Sequence, residues 1–298
     1  MSATPSTLPH AETSRWREFY ELTKPRVCML IVFTAIVGMF LATPGLPPLS
    51  ALLFGTIGIW LASASAAAIN QVIDARVDAR MTRTQGRPLP QGTVSERTAV
   101  AFALALGALG MAVLGVAVNT LTAVLTFASL IGYAIVYTVY LKRATPQNIV
   151  IGGAAGAAPP VLGWTAVTGE VHAHALILFL IIFAWTPPHF WALAIARKDE
   201  YAKVGIPMLP VTHGNPLTRQ FIVLYTILTV MITLLPWLTQ MSGLPYLFAA
   251  VLLGGLFLWH AYHVWRNTDD SWPMRTFVYS INYLVALFAA LLVDHYLA

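Results

Sequence analysis

Residues 50–78 read SALLFGTIGIWLASASAAAINQVIDARVD. The first two-thirds of this stretch carries no charge and is long enough to cross a bilayer as a helix, which takes about 20 apolar residues. Ala66, Ala67, Ala68 and Ile69 then run without a break into Asn70, Asp74 and Asp78, which recur every fourth residue. On a helix, positions i and i+4 share a face, with Cβ atoms about 5–6 Å apart. The stretch therefore predicts one membrane-spanning helix whose end points an amide and two carboxylates into one cavity near the membrane surface. Ionisable groups at that depth are costly and by default functional.

The rest of the chain fits this reading. It is 58% hydrophobic and 10% charged, whereas a soluble domain carries about 25% charged residues. Lipid must be the solvent for much of the surface. Candidate spans cover 25–43, 50–70, 98–118, 120–140, 148–167, 174–195, 220–239, 245–265 and 276–294. Turn and breaker residues separate them, among them Pro44-Gly45, Pro146, Gly169, Pro207 to Pro216, Gly243 with Pro245, and Pro273. The boundary at Asn119 needs a tight hairpin, because 98–140 is nearly continuous. The prediction is an all-α, polytopic membrane bundle of about nine transmembrane helices. Residues 1–14, polar and holding Pro5 and Pro9, are expected to be a disordered tail, and 15–298 a single domain. No secretory signal precedes the first apolar run, so the first helix is expected to be retained.

Nine spans put alternate loops on opposite sides. All 17 Lys and Arg residues fall in the N-terminal arm and the loops near 71–97, 141–147, 196–219 and 266–275. The positive-inside rule makes that side cytoplasmic, with the N-terminus on it, in a cell inner membrane. The net charge of +5 is thus topology. A nucleic-acid footprint would need basic residues interleaved with aromatics on one wet face, and none is present. A single cysteine, Cys28, excludes a disulfide framework and reads as a small buried apolar residue.

Two cytoplasmic loops hold most of the polar residues, and long loops in compact folds usually carry function. In the first, Asp74 and Asp78 repel each other unless a counter-charge lies between them. Such a pair suits Mg²⁺, a hard cation that binds through one or two carboxylates and keeps sites for water and phosphate. Arg83 and Arg87 follow and can fork onto phosphate oxygens. Taken singly, each of these charges reads as an ordinary solvated helix end. The second loop carries Asp199, Tyr201 and Lys203. Asp199 can ligate a metal, Lys203 can bind phosphate and Tyr201 can hydrogen-bond it, provided the two loops face each other.

Asn70-xxx-Asp74-xxx-Asp78 with Met81, Arg83-Thr84 and Arg87-Pro88-Leu89 resembles the first aspartate motif of the intramembrane aromatic prenyltransferase superfamily. That superfamily includes the ubiquinone, menaquinone and chlorophyll prenyltransferases. Three further segments agree: Thr23-Lys24-Pro25-Arg26, Trp185-Thr186-Pro187-Pro188-His189-Phe190-Trp191, and Asp199-Glu200-Tyr201 with Pro207-Met208-Leu209-Pro210. The form of the motifs is similar to the haem-farnesylating branch. One departure supports that branch: most of the superfamily has a second Asp-xxx-Asp, and here its second position is Lys203.

The resemblance implies a Mg²⁺-dependent transferase that joins farnesyl diphosphate to haem b and water, giving haem O and diphosphate. It implies metal ligands Asp74, Asp78, Asn70 and Asp199. Diphosphate contacts would be Arg83, Arg87, Lys203, Lys24 and Arg26, with Tyr201 assisting catalysis. Contact with a haem A synthase or terminal oxidase assembly is a further implied partnership. His189, in an apolar span among Trp185 and Trp191, is either a satisfied core histidine or a haem contact. His213 is a candidate for a haem propionate. The rival readings are a quinone-type prenyltransferase of the same fold, separable by acceptor assay, and a transporter. A transporter would place charges at mid-membrane in inverted repeats, and these charges cluster at one face.

Overall fold

The computed structural model describes residues 15–267, 269 and 271–297. The tail expected to be disordered, residues 1–14, lies outside the described residues. Among the described residues every regular element is a helix: α1 (Arg15–Leu22), α2 (Pro25–Leu41), α3 (Ala51–Asp78), α4 (Glu96–Ala117), α5 (Thr120–Ala144) and α6 (Asn148–Thr168). These are followed by α7 (Ala173–Ala196), the short α8 (Lys198–Lys203) and α9 (Leu209–Thr212), then α10 (Gly214–Leu238), α11 (Leu244–Arg266) and α12 (Ser271–Leu297). Eight of these are long and apolar enough to span a bilayer, and the bent pair α1–α2 makes a ninth.

Each expected span has its helix, with one difference: the first span is preceded by α1, inclined 52° to α2. The second runs on to Asp78 as expected, since Ala75, Arg76 and Val77 are compatible with a helix although the apolar run has ended. The expected hairpin at Asn119 is present. Its side chain caps α5 by accepting from Thr122 N at 2.8 Å and donates to the Thr165 carbonyl at 2.8 Å, an asparagine N-cap.

Without water to drive helices together, membrane bundles rely on close backbone approach at small residues. At the α2–α6 crossing, Gly38 faces the Pro160 carbonyl and Gly163 faces the Ala35 carbonyl, and a Cβ at either would strike that backbone. On α3, Ser65 Oγ donates to the Ala103 carbonyl of α4 at 2.7 Å. α7 is the most enclosed span, 72% buried against 17% for α5. One core joins it to α11 and α12 through Trp185, Tyr246, Phe257, Tyr283 and Phe288. A second core gathers Val77 and Met81 at the end of α3 with Trp191, Tyr201, Ile206, Met208 and Leu209. This second core brings the two polar loops together.

At the other end of the bundle Asp294 of α12 is 2% exposed. Its carboxylate accepts from Gly243 N at 2.6 Å and Tyr246 N at 3.1 Å, so it caps α11 from a neighbouring helix. Asp294→Ala leaves two helix-terminal N–H groups unpaired and is expected to cost about 1–3 kcal/mol. A thermal melt followed by tryptophan fluorescence should fall by several degrees while turnover is kept. An unchanged melt would show that water replaces the cap.

Candidate active site

The end of α3 presents Asn70, Asp74 and Asp78, which are 4%, 2% and 5% exposed. Charges buried this deeply persist only when paired, and each has its partner. Lys142 Nζ, at the end of α5, meets Asp74 Oδ2 at 2.5 Å. Arg87 Nη1 meets Asp78 Oδ2 at 2.5 Å. The loop after α3 folds back to bring Arg87 there, and Thr84 Oγ1 fastens it by donating to the Asp78 carbonyl at 2.9 Å. Lys24 Nζ, at the bend between α1 and α2, donates to Asn70 Oδ1. Asn70 Nδ2 donates to Asp74 Oδ2 and to Thr138 Oγ1, both at 3.0 Å.

Thr138 lies in a widened helical stretch of α5, Gly132–Leu141, and donates to the Tyr133 carbonyl at 2.8 Å. Such π-turns often mark functional sites. Here the extra residue per turn brings Thr138 to Asn70. The rings of Tyr133 and Tyr137 stack 5.5 Å apart, and a Cβ at Gly152 would strike the Tyr137 ring.

Lys24 joins the same group through Asn70, which links it to Asp74. Three cations therefore face two carboxylates in one box. The excess positive charge suits a polyanion carrying a divalent cation. Asp74 Oδ1 is buried and has no hydrogen-bond partner. It is an open oxygen in a set of hard donors, as Mg²⁺ requires. Among the described residues no three His, Cys, Asp or Glu side chains converge, so the protein supplies a pair of carboxylates rather than a closed cage. The oxygens of Asn70, Asp74 and Asp78 are of the kind a hard divalent cation takes.

The second loop contributes Tyr201, 7% exposed and packed on Val77 and Met81. Burial raises its phenol above the usual value of 10, opposed in part by the positive charge of Arg83. Asp199 and Lys203 are exposed on α8 and form no ion pair among the described residues. The structure thus sets Tyr201 against the first motif without bringing Asp199 to Asp74 and Asp78. Arg26 and Arg83 are exposed at the rim. His213 is exposed, its Nδ1 2.8 Å from Thr212 Oγ1.

His189 is 6% exposed. Its ring lies between Trp185, 4.3 Å away, and Phe277, 4.5 Å away, and its Nδ1 meets Ser280 Oγ at 2.7 Å. Both ring faces are covered and one nitrogen is satisfied, the arrangement of a core histidine joining α7 to α12.

The sequence reading missed Lys142 and Thr138 as parts of the site. Lys142 had a usable signal: a cation ending an apolar span on the motif's side, four residues after Thr138.

An apolar helical bundle with a buried carboxylate–cation box at one end defines an intramembrane prenyl-transfer protein, and the chain belongs to the UbiA prenyltransferase family, which residues 31–291 match. It is 60% identical to the protoheme IX farnesyltransferase of Nitrosococcus oceani over 291 residues, 98% of this chain and 97% of that protein. It is also 60% identical to the protoheme IX farnesyltransferase of Methylococcus capsulatus over 282 residues, 95% of each chain. A digeranylgeranylglyceryl phosphate synthase structure superposes with a TM-score of 0.80 at 18% identity, over 96% of this chain and 100% of that one. A UbiA homolog from Archaeoglobus fulgidus bound to GPP and Mg²⁺ does so at 0.63 and 17%, over 92% of this chain and 99% of that one.

Proposed function

We propose that this chain transfers the farnesyl group of farnesyl diphosphate to a vinyl group of haem b, giving haem O and diphosphate. The observation that carries this is the 60% identity, over nearly the whole length, to proteins named protoheme IX farnesyltransferase. The carboxylate–cation box supplies the chemistry. Arg87, Lys142 and Lys24 hold the diphosphate oxygens, with Arg83, Arg26 and Lys203 guiding it from the rim. Asn70, Asp74 and Asp78 would hold Mg²⁺, with Asp199 as a further ligand from α8, and that metal would supply neutralisation of the charge developing on the leaving diphosphate. The cations do the same from fixed positions in a dry site, where such stabilisation is strongest.

The farnesyl tail extends into the apolar bundle, which keeps bulk water from its C1. The C1–O bond breaks with its electron pair leaving on diphosphate. The haem vinyl π electrons then bond to C1. Water captures the resulting cation and releases a proton. His213 meets a haem propionate at the rim, and Tyr201 hydrogen-bonds the diphosphate. The box faces the cytoplasm, since every Lys and Arg falls in loops of that one side.

The test is to incubate membranes holding the protein with haem b, farnesyl diphosphate and Mg²⁺ and to seek haem O by mass. Haem O that disappears with EDTA supports the reaction and its metal. Diphosphate released only with a phenolic acceptor would move the chain to quinone prenylation. No diphosphate release with any acceptor would sink the transferase reading.

A further inference from the structure

The bend at Lys24 leaves backbone groups that a straight helix would satisfy. In a continuous helix the Glu21 carbonyl would accept from residue 25, but Pro25 has no N–H. The Leu22 carbonyl would accept from Arg26, which lies beyond a 52° bend. Buried carbonyls must find other donors. The Tyr20 carbonyl takes Thr23 N at 3.2 Å and Thr23 Oγ1 at 2.6 Å. The Thr23 carbonyl takes Cys28 Sγ at 3.0 Å. The Glu21 carbonyl takes Lys24 N at 3.1 Å, and the carbonyls of Glu21 and Leu22 both take Gln71 Nε2, each at 3.0 Å.

Gln71 is 1% exposed and follows Asn70 directly on α3. Two adjacent side chains therefore grip the bend at two points: Gln71 holds the last carbonyls of α1, and Asn70 accepts the Lys24 ammonium. Between them Lys24 has a φ of 49°, a left-handed conformation that non-glycine residues rarely adopt and that persists where surroundings enforce it. Gln71 Oε1 is buried with no partner. Turning the amide over would satisfy nothing, because it would set an oxygen against two carbonyls. A buried residue kept with half its amide unpaired calls for an explanation beyond packing.

We propose that Gln71 is a positioning residue for the diphosphate site, resting on the farnesyl-transfer reading above. It supplies a donor to the Leu22 carbonyl and a second one to the Glu21 carbonyl, fixes the bend, and thereby holds Lys24 in its left-handed conformation with the ammonium inside the box. It acts through Lys24 and touches no substrate.

The test is a double-mutant cycle read by equilibrium binding of farnesyl diphosphate to purified protein, with haem O turnover alongside. Gln71→Met keeps length and volume and removes the donor. Lys24→Met removes the cation. Losing one charge-assisted contact weakens binding by roughly 10- to 100-fold, so Lys24→Met should weaken it within that range. Gln71→Met should weaken it about tenfold, with kcat within about threefold of wild type. The double variant should bind like Lys24→Met alone, since residues acting through one another do not add. Additive losses would overturn the proposal, as would unchanged binding in Gln71→Met. Failure of Gln71→Met to accumulate while Lys24→Met does so normally would also overturn it, because the role would then be structural. Wild-type protein that binds farnesyl diphosphate but makes no haem O would remove the acceptor assignment and leave Gln71 untouched. Wild-type protein that binds no farnesyl diphosphate would remove both.

Discussion

Replacing Asp74 with alanine is expected to lower haem O formation by about 10³-fold, more than any other single change in the box. Asp74 is the one residue through which the cavity's parts meet. Its Oδ2 holds the Lys142 ammonium at 2.5 Å and the Asn70 amide at 3.0 Å, and its Oδ1 is the buried oxygen left open. Alanine removes the proposed metal ligand and leaves Lys142 without its counter-charge. Stripping one partner from a buried ion pair costs about 3–5 kcal/mol, so the melt should fall with the activity. Asp74→Asn separates these effects. It keeps the shape and an oxygen but loses the charge, so it should regain part of the stability and almost none of the rate. Asp199→Ala is the internal control. That carboxylate is exposed and unpaired among the described residues, so its loss should cost about tenfold or less, through a ligand made only in the loaded state. The measurements are haem O by mass and a thermal melt on the same preparations. Asp74→Asn retaining more than about a tenth of the rate would show that the carboxylate charge is not what the reaction uses.

The fold was legible because lipid writes itself into sequence. Apolar runs of spanning length and the one-sided distribution of Lys and Arg gave nine helices with boundaries close to those observed. The aspartate motif was legible for a local reason: a four-residue period on a continuous helix puts Asn70, Asp74 and Asp78 on one face. Contacts closing the box across large sequence separations left weaker marks. Lys142 reaches Asp74 from 68 residues away, and its position at a span end looks like any topology-setting lysine. Thr138 reaches Asn70 through a widened turn that periodicity at 3.6 residues cannot reveal. Gln71 was hidden because its partners are backbone carbonyls at the bend before Pro25, 50 and 49 residues earlier in the chain. His189 illustrates the opposite case. The aromatic, proline-rich run around it marks it out, but the neighbours that cover its ring, Phe277 and Ser280, come from the last helix.

The second large effect concerns Lys142 and carries an unusual sign. Its ammonium pairs with Asp74 Oδ2 at 2.5 Å, beside the open Oδ1 that a metal would use, and its side chain is 14% exposed. The lysine offsets the negative charge of Asp74 beside Asp78, and in the proposed reaction it would turn to the diphosphate. Lys142→Met should therefore change two binding steps in opposite directions. Farnesyl diphosphate loses a charge-assisted hydrogen bond worth about 1.5–3 kcal/mol, so its KM should rise roughly 10- to 150-fold. Metal binding without diphosphate should tighten, because the positive charge beside the open Asp74 Oδ1 falls. Mn²⁺ titrated into the purified protein and followed by electron paramagnetic resonance measures this second step with no turnover required. Tighter Mn²⁺ together with weaker farnesyl diphosphate is the signature of an ammonium that competes with the metal and then serves the substrate. Weaker Mn²⁺ would mean that Lys142 orients Asp74 for the metal, and the competition argument would fail. Unchanged farnesyl diphosphate binding would place the lysine in the fold alone, leaving Arg87 and Lys24 as the cations that meet the leaving group.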